Sequence, residues 1–442
     1  MSKTYFCLKI VSLSLFCVLS IYLFVFAFDY DIQYDLMKTY IQFKDPMPAV
    51  DIWMNSPFGK LEIYLFNVTN SEEFLGGCHK KIRLEQIGPI TYNVIGFNDI
   101  LSRTEDSVTY RRNRYRHINF LPYGSVSPNI LNQTIVQVND KAILDRSNTL
   151  FSSISVYDFL HSNFDPFNNA TKEREEVFTV NIGIKHGMEN FFRIQTLNGE
   201  YSIKTYDRAN SSSSCSINVK GAFDNSLFPP FITKNTSLNI FVSELCRVIP
   251  LHYQREETKQ DLNGYRYVLQ RPNEKECLPV ENGKPLPKDM YDMSKCVNND
   301  IPTAFSAPHF YGSSYNWSEN FEGLNPNAEE HEAYILLLPM MGIPINNNLR
   351  FQSNMVLPDL SYLDNKLSHL SNKIMPRLWY DFEMGKLPFI VHFVMYTNIL
   401  QRMVMILPPL AALWSLNKII KIRRQFNYKT INNTYNQQKA NI

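Results

Sequence analysis

The sequence predicts an α+β protein: one large, mostly antiparallel β domain with short helices, anchored by two transmembrane helices. Three observations carry that expectation. An uncharged apolar run lies near the N-terminus, a second apolar run lies near the C-terminus, and the stretch between them is dominated by β-branched and aromatic strand patterns.

The first run is IVSLSLFCVLSIYLFVFAF, residues 10–28. As a helix rising about 1.5 Å per residue it covers roughly 28 Å, close to the thickness of a hydrocarbon core. Lys3 and Lys9 precede it, while Asp29, Asp31 and Asp35 follow it, so the positive-inside rule puts residues 1–9 in the cytoplasm. Val25-Phe26-Ala27 has the small-residue spacing of a signal-peptide cleavage site. The apolar run is longer than a usual signal core, which favours an uncleaved anchor.

The second span is assigned to residues 399–417. From Met403 to Leu416 the chain is apolar or small, with Ser415 its one polar group. Arg402 falls at the outer interface, where a long side chain reaches the headgroups. Pro408 and Pro409 are expected to kink the helix, which a span tolerates where neighbours satisfy the freed carbonyls. Lys418, Lys421, Arg423, Arg424, Lys429 and Lys439 follow with no acidic residue, so residues 418–442 form a basic cytoplasmic tail. Both termini are then inside and residues 29–398 are extracellular.

That topology demands sequons and paired cysteines outside. Six sequons lie in the outer segment, at Asn67, Asn132, Asn169, Asn210, Asn235 and Asn316, and a further one at Asn432 falls in the tail and is expected to stay bare. Cys215, Cys246, Cys277 and Cys296 cluster and read as two disulfides whose connectivity spacing alone leaves open. Cys78 is left odd, and Cys7 and Cys17 lie at or in the first span.

Strands are expected over 61–68, 108–120, 192–206, 264–270 and 347–357, with Asn198-Gly199 as a tight hairpin turn. SEEFLGG (71–77) reads as one helical turn stopped by glycines, and residues 141–162 as one or two helices. FPPF (228–231) reads as a rigid corner, its prolines fixing the chain and both phenylalanines packing inward.

Few motifs carry chemistry. In YRRNRYRH (110–117), strand parity puts Arg112, Arg114 and Arg116 on one face, a positive stripe suited to a polyanion or anionic lipid, or else a solvated face. Glu329, Glu330, His331 and Glu332 with His309 bring acids and imidazoles together, but no three stand at metal-ligand spacing, so no metal is assigned. No P-loop, GxSxG or GxGxxG is present, which argues against an enzyme. A net charge of +2 gives no electrostatic case for a nucleic-acid partner.

Several motifs, in order, resemble the class B scavenger receptor family: YLFNVTNSEEFLGG (64–77), EQIGPITY (85–92), FPPFITK (228–234), SELCR (243–247), KCVNNDIPTAFSAPHFYGS (295–313), EGLNPNAEEHEAYILLLPMMGIPI (322–345) and PRLWYD (376–381). The resemblance implies an antiparallel β-barrel ectodomain with a helical apex and an apolar tunnel toward the bilayer. It implies disulfides Cys215–Cys277 and Cys246–Cys296; a third bridge found in many members has no counterpart here. Between LPYGS (121–125) and FDPF (164–167) the chain is shorter than the family pattern, and there Lys141 and Arg146 stand near the family's apical basic region.

The expected function is a cell-surface receptor for lipids or lipid-bearing particles, with fatty-acid, sterol-ester or lipoprotein-like ligands, passing hydrophobic cargo to the membrane without a cofactor. Each CH₂ kept out of water in such a passage is worth about 0.8 kcal/mol. A two-span ligand-gated channel subunit is the alternative: it shares the hairpin topology, and Asn398, Gln401 and Arg402 would line its pore. Between Asn417 and Ile442 the tail has neither an acid nor a leucine, hence no acidic dileucine signal, which favours the plasma membrane over the lysosome.

Overall fold

The computed structural model describes residues 3–45, 48–55, 59–94, 97–113, 118–120, 132–136, 151–156, 176–205, 215–270, 280–281, 284–292, 303–357, 359–361 and 368–440. The chain divides into two compact units, residues 1–39 with 388–442, and residues 40–387.

The first unit is helical. Its N-terminal helix, Lys3–Asp29, and its C-terminal helix, Phe389–Ala440, are both long and apolar enough to cross a membrane. The second continues through Pro408 and Pro409 and through the basic tail, 52 residues in all. The two helices run antiparallel. Phe6 stacks on Phe426 with ring centroids 3.9 Å apart, Cys17 Sγ lies 3.8 Å from the Ala412 carbonyl, and Gln401 Nε2 donates to the Tyr30 carbonyl at 3.0 Å. Cys17, Ser20, Ala27, Ala412 and Ser415 are buried, and such small residues let apolar helices approach closely. Ser20 and Ser415 bond back to carbonyls four residues earlier, so neither hydroxyl is stranded.

The second unit is built on a sheet of twelve strands. Its main path runs Leu238–Val242, Arg247–Lys259, Leu262–Leu269, Tyr334–Leu338, Ile343–Val356, Ile374–Met384, Gly59–Val68, Ile82–Val94 and Phe321–Glu322. Only the last pairing is parallel. The end strands Leu238–Val242 and Phe321–Glu322 do not pair with each other, so the path is open and no closed barrel forms among the described residues. Closure needs edge strands that share a ladder; Phe321–Glu322 offers only two residues. A separate four-stranded sheet joins Phe97–Arg103, Ser107–Asn113, Glu176–Asn181 and Ile194–Leu197.

The strands expected at 61–68, 264–270 and 347–357 correspond to Gly59–Val68, Leu262–Leu269 and Ile343–Val356. The helix Ser71–Leu75 stops at the expected glycines, and Gly77 takes φ +76°. Three expectations need correction. The tight turn at Asn198-Gly199 forms, with both residues at positive φ and Leu197 and Glu200 exchanging backbone hydrogen bonds, but Ile194–Leu197 pairs with Glu176–Asn181 and Ser202–Thr205 with Cys215–Asn218. The hairpin therefore ends after one bridge.

Phe151–Ser155 is a strand, not a helix, paired antiparallel with Asn132–Val136. Serines favour other conformations over helix interiors, and Phe151 and Ile154 suit a ladder. The apex expected to be helical falls on 121–131, 137–150 and 157–175, outside the described residues. At the corner, Phe228 is fully buried but Phe231 is 39% exposed. Phe231 takes φ +58° after the two prolines, turning its side chain away while its N–H still reaches the Met340 carbonyl.

Candidate functional site

Side chains alternate across the sheet, so its strands present two faces. On one face Leu61, Ile63 and Leu65 join Leu251, Tyr267, Ile335, Leu337, Phe351, Leu378 and Tyr380 in a single apolar cluster, with every buried member less than a tenth exposed. The loop residues Phe223, Phe228 and Ile232 pack into it. Phe228 is tied down by its N–H to the Gly342 carbonyl, and Ile232 by its N–H to the Pro339 carbonyl.

The cluster emerges at its margin. Tyr253, Tyr265, Leu269, Leu349 and Phe382 are partly buried and pack against it. Tyr253 and Tyr265 meet edge to face, centroids 5.5 Å apart, and Lys234 Nζ stands 5.8 and 5.9 Å from their ring centres. Lys234 also pairs with Glu256 at 2.7 Å, and that hydrogen bond raises the ammonium pKa. Both partners are about half exposed. An apolar aromatic edge with a cation above it is the chemistry that receives an amphiphile with an anionic head.

The other face is covered and mixed: a second apolar cluster that includes Phe66 and Trp379 adjoins a polar row. Asn346, Asn348, Arg350, Gln352 and Asn354 follow one another at a spacing of two along Ile343–Val356. Arg350 Nε donates to Asp381 at 2.9 Å, Asn346 Nδ2 to Tyr334 Oη at 3.1 Å, and Asn354 Nδ2 to Ser306 Oγ at 3.0 Å. Beside them the buried rings of His309 and His331 stack 4.5 Å apart. Each Nδ1 accepts a backbone N–H, from Asn325 and Asn327 respectively. His309 Nε2 therefore carries the proton it gives to Gln86 Oε1, which also accepts from Trp379 Nε1. Burial pushes both imidazoles down to about 4, and for His331 the neighbouring His309 and Arg350 add to the effect.

The arginine stripe divides. Arg112 continues the buried face of Val108 and Tyr110 along Ser107–Asn113 and pairs with the carboxylate of Asp224, itself fully buried. Arg112 also donates to the Asp224 carbonyl at 2.8 Å, while Tyr110 Oη and Ser226 Oγ donate to the same carboxylate. Burial is the largest single effect and lowers the guanidinium pKa, but Asp224, Tyr110 and Glu176 together outweigh it and keep the group charged. The apolar Val108 and Tyr110 at the parity of Arg112 mark that side of the strand as inward. Arg114, Arg116, Lys141 and Arg146 lie outside the described residues.

Among the sequons, Asn67 lies on Gly59–Val68, Asn132 begins Asn132–Val136, and Asn235 and Asn316 are exposed on loops. Asn169 and Asn210 fall outside the described residues, as do Cys277 and Cys296. Cys246 is disulfide-bonded, Cys215 opens the strand Cys215–Asn218, and Cys7, Cys17 and Cys78 are free. A cavity of about 120 Å³ beside Glu176, Glu200 and Phe241 is smaller than the roughly 300 Å³ at which ligand pockets begin.

Lys234, Tyr253 and Tyr265 escaped sequence reading. Lys234 stands alone among uncharged neighbours, Tyr265 reads only as a strand residue, and Tyr253 lies outside the expected strands. Their shared parity with Leu251 and Leu269 was the one available signal.

Comparison with known proteins gives a consistent picture. The family model described as "CD36 family" matches residues 11–163 and 140–420. Lysosome membrane protein 2 of Rattus norvegicus is 26% identical over 349 residues, 69% of this chain and 70% of that protein. Scavenger receptor class B member 1 of Mus musculus is 26% identical over 379 residues, 73% of this chain and 69% of that protein. Sensory neuron membrane protein 1 of Mamestra brassicae is 25% identical over 402 residues, 75% of this chain and 73% of that protein.

Proposed function

This chain belongs to the CD36 family, and on that premise we propose that it is a membrane-anchored scavenger-type receptor. It binds lipids or lipid-bearing particles and passes hydrophobic ligands along its ectodomain toward the bilayer. The observation that carries this reading is the contiguous apolar face of the large sheet, emerging at Tyr253 and Tyr265 beneath Lys234. An acyl chain laid on that margin leaves water, while an anionic head meets Lys234 in place of Glu256. The names of two relatives, a scavenger receptor and a lysosome membrane protein, agree with a receptor held in a membrane.

In this reading the helices Lys3–Asp29 and Phe389–Ala440 are the two anchors, both termini are cytoplasmic, and the protein works at the plasma membrane. The bridges Cys215–Cys277 and Cys246–Cys296 brace the ectodomain. The decisive experiment is uptake of labelled fatty acids, sterol esters and lipoproteins by cells expressing the full chain. Uptake of at least one class above control cells is expected, and agonist-evoked current with no uptake would reverse the assignment. Removal of the Asn235 or Asn316 sequon is expected to raise gel mobility by one glycan each, while removal of the Asn432 sequon leaves it unchanged. Glycosylation at Asn432 would invert the topology.

A further inference from the structure

We propose that the paired ends of the two terminal helices form a binding surface for anionic phospholipid headgroups. The Phe6–Phe426 stack brings the start of one helix beside the tail of the other. That register gathers Lys9 with Lys421, Arg423, Arg424 and Lys429 at one end of the helix pair, with Lys418 one turn nearer the apolar segment. All six side chains are exposed.

No acidic residue of the neighbouring sequence neutralises them. No acidic residue occurs before Asp29 or after Glu383, and none of the described ion pairs involves any of the six. Lys9 and Lys418 instead sit over the rings of Tyr5 and Trp414, at 5.8 and 5.6 Å. Trp414 is itself exposed, the placement of an aromatic ring at a membrane–water boundary.

The electrostatics select the partner. Like charges packed together on two helices repel, and a surface of lipid phosphates and carboxylates relieves that repulsion. Each Lys or Arg near such a surface contributes about a fivefold gain in affinity, so several acting together produce a strong preference for anionic over zwitterionic lipid. The inference rests on the membrane-anchored reading above. It adds to it a lipid site on the helices, distinct from cargo binding by the ectodomain.

The test uses the full chain in nanodiscs and quenching of tryptophan fluorescence by lipids brominated on their acyl chains. Trp414 is the one tryptophan in the terminal helices. Brominated phosphatidylserine is expected to out-compete brominated phosphatidylcholine at Trp414 by at least fivefold, and 0.5 M salt is expected to reduce that preference. The variant Lys421→Gln, Arg423→Gln, Arg424→Gln, Lys429→Gln is expected to lower that preference by at least about fivefold. Arg423→Lys with Arg424→Lys retains charge and helix propensity and is expected to keep the preference. Equal quenching by both lipids, no quenching by either, or a preference unchanged in the glutamine variant would overturn the proposal. Lipid uptake by cells expressing the same variants separates the two ideas: uptake with no lipid preference overturns this proposal alone, and lipid preference without uptake overturns the receptor reading alone.

Discussion

The rings of His309 and His331 lie stacked with centroids 4.5 Å apart, and each presents its Nδ1 to a backbone N–H. Twenty-two positions separate them in sequence, yet together they lie beside the polar row on the covered face of the sheet. Both are held neutral by burial, with pKa values pushed down to about 4.

That pair makes stability fall on acidification. Free imidazole titrates near 6.5, so between about pH 6.5 and 4 the unfolded chain takes up protons that the folded chain refuses. The stabilisation is complete above pH 6.5 and is lost through that window, on the order of 1–3 kcal/mol for each histidine. Thermal unfolding of the full chain at pH 7.5 and 4.5 measures it. A His309→Gln, His331→Gln variant is expected to melt lower at pH 7.5 and to show a shallower fall with acid; a fall as steep as that of the parent would sink the assignment.

Arg112 and Asp224 depend on each other. Arg112→Ala leaves a buried carboxylate with its charge unmet, an expected cost of about 3–5 kcal/mol. Combining Arg112→Met with Asp224→Leu removes both charges, and the double variant is expected to be more stable than Arg112→Ala alone. Denaturant unfolding of the set gives the coupling energy, and purely additive losses would mean that the pair does not act as a unit.

Gly342 is required by the corner that seats Phe228. It takes φ +66°, and a Cβ there would fall 2.1 Å from the Phe228 carbonyl oxygen and 2.4 Å from that of Pro229. Gly342→Ala is expected to cost more than about 2 kcal/mol, from backbone strain and the forced shift of the loop together. The outcome to look for is loss of surface-expressed protein; near-normal expression and melting temperature would contradict it.

At the margin of the apolar face, Lys234→Gln is expected to lower fatty-acid uptake about tenfold while leaving sterol-ester uptake within twofold, since only the former carries a carboxylate. Tyr253→Ala with Tyr265→Ala is expected to lower both. Uptake assays on cells matched for surface protein decide this, and equal loss of both cargoes in Lys234→Gln would remove the lysine from headgroup recognition.

Read alone, the sequence determined the two apolar helices, the strand-rich segment between them, the Ser71–Leu75 turn and the tight turn at Asn198-Gly199. Each is written in a local period or in a local backbone requirement such as positive φ, which needs no distant partner. Parity likewise put Arg112 on a definite side of its strand. Only the tertiary structure decided that this side faces inward, because the matching carboxylate comes from Asp224, 112 positions away. The same holds for His309 beside His331, for Lys234 above Tyr253 and Tyr265, and for the open path of the sheet. Such pairings are chosen by which strands and loops meet on folding, and no local pattern of residues carries that information.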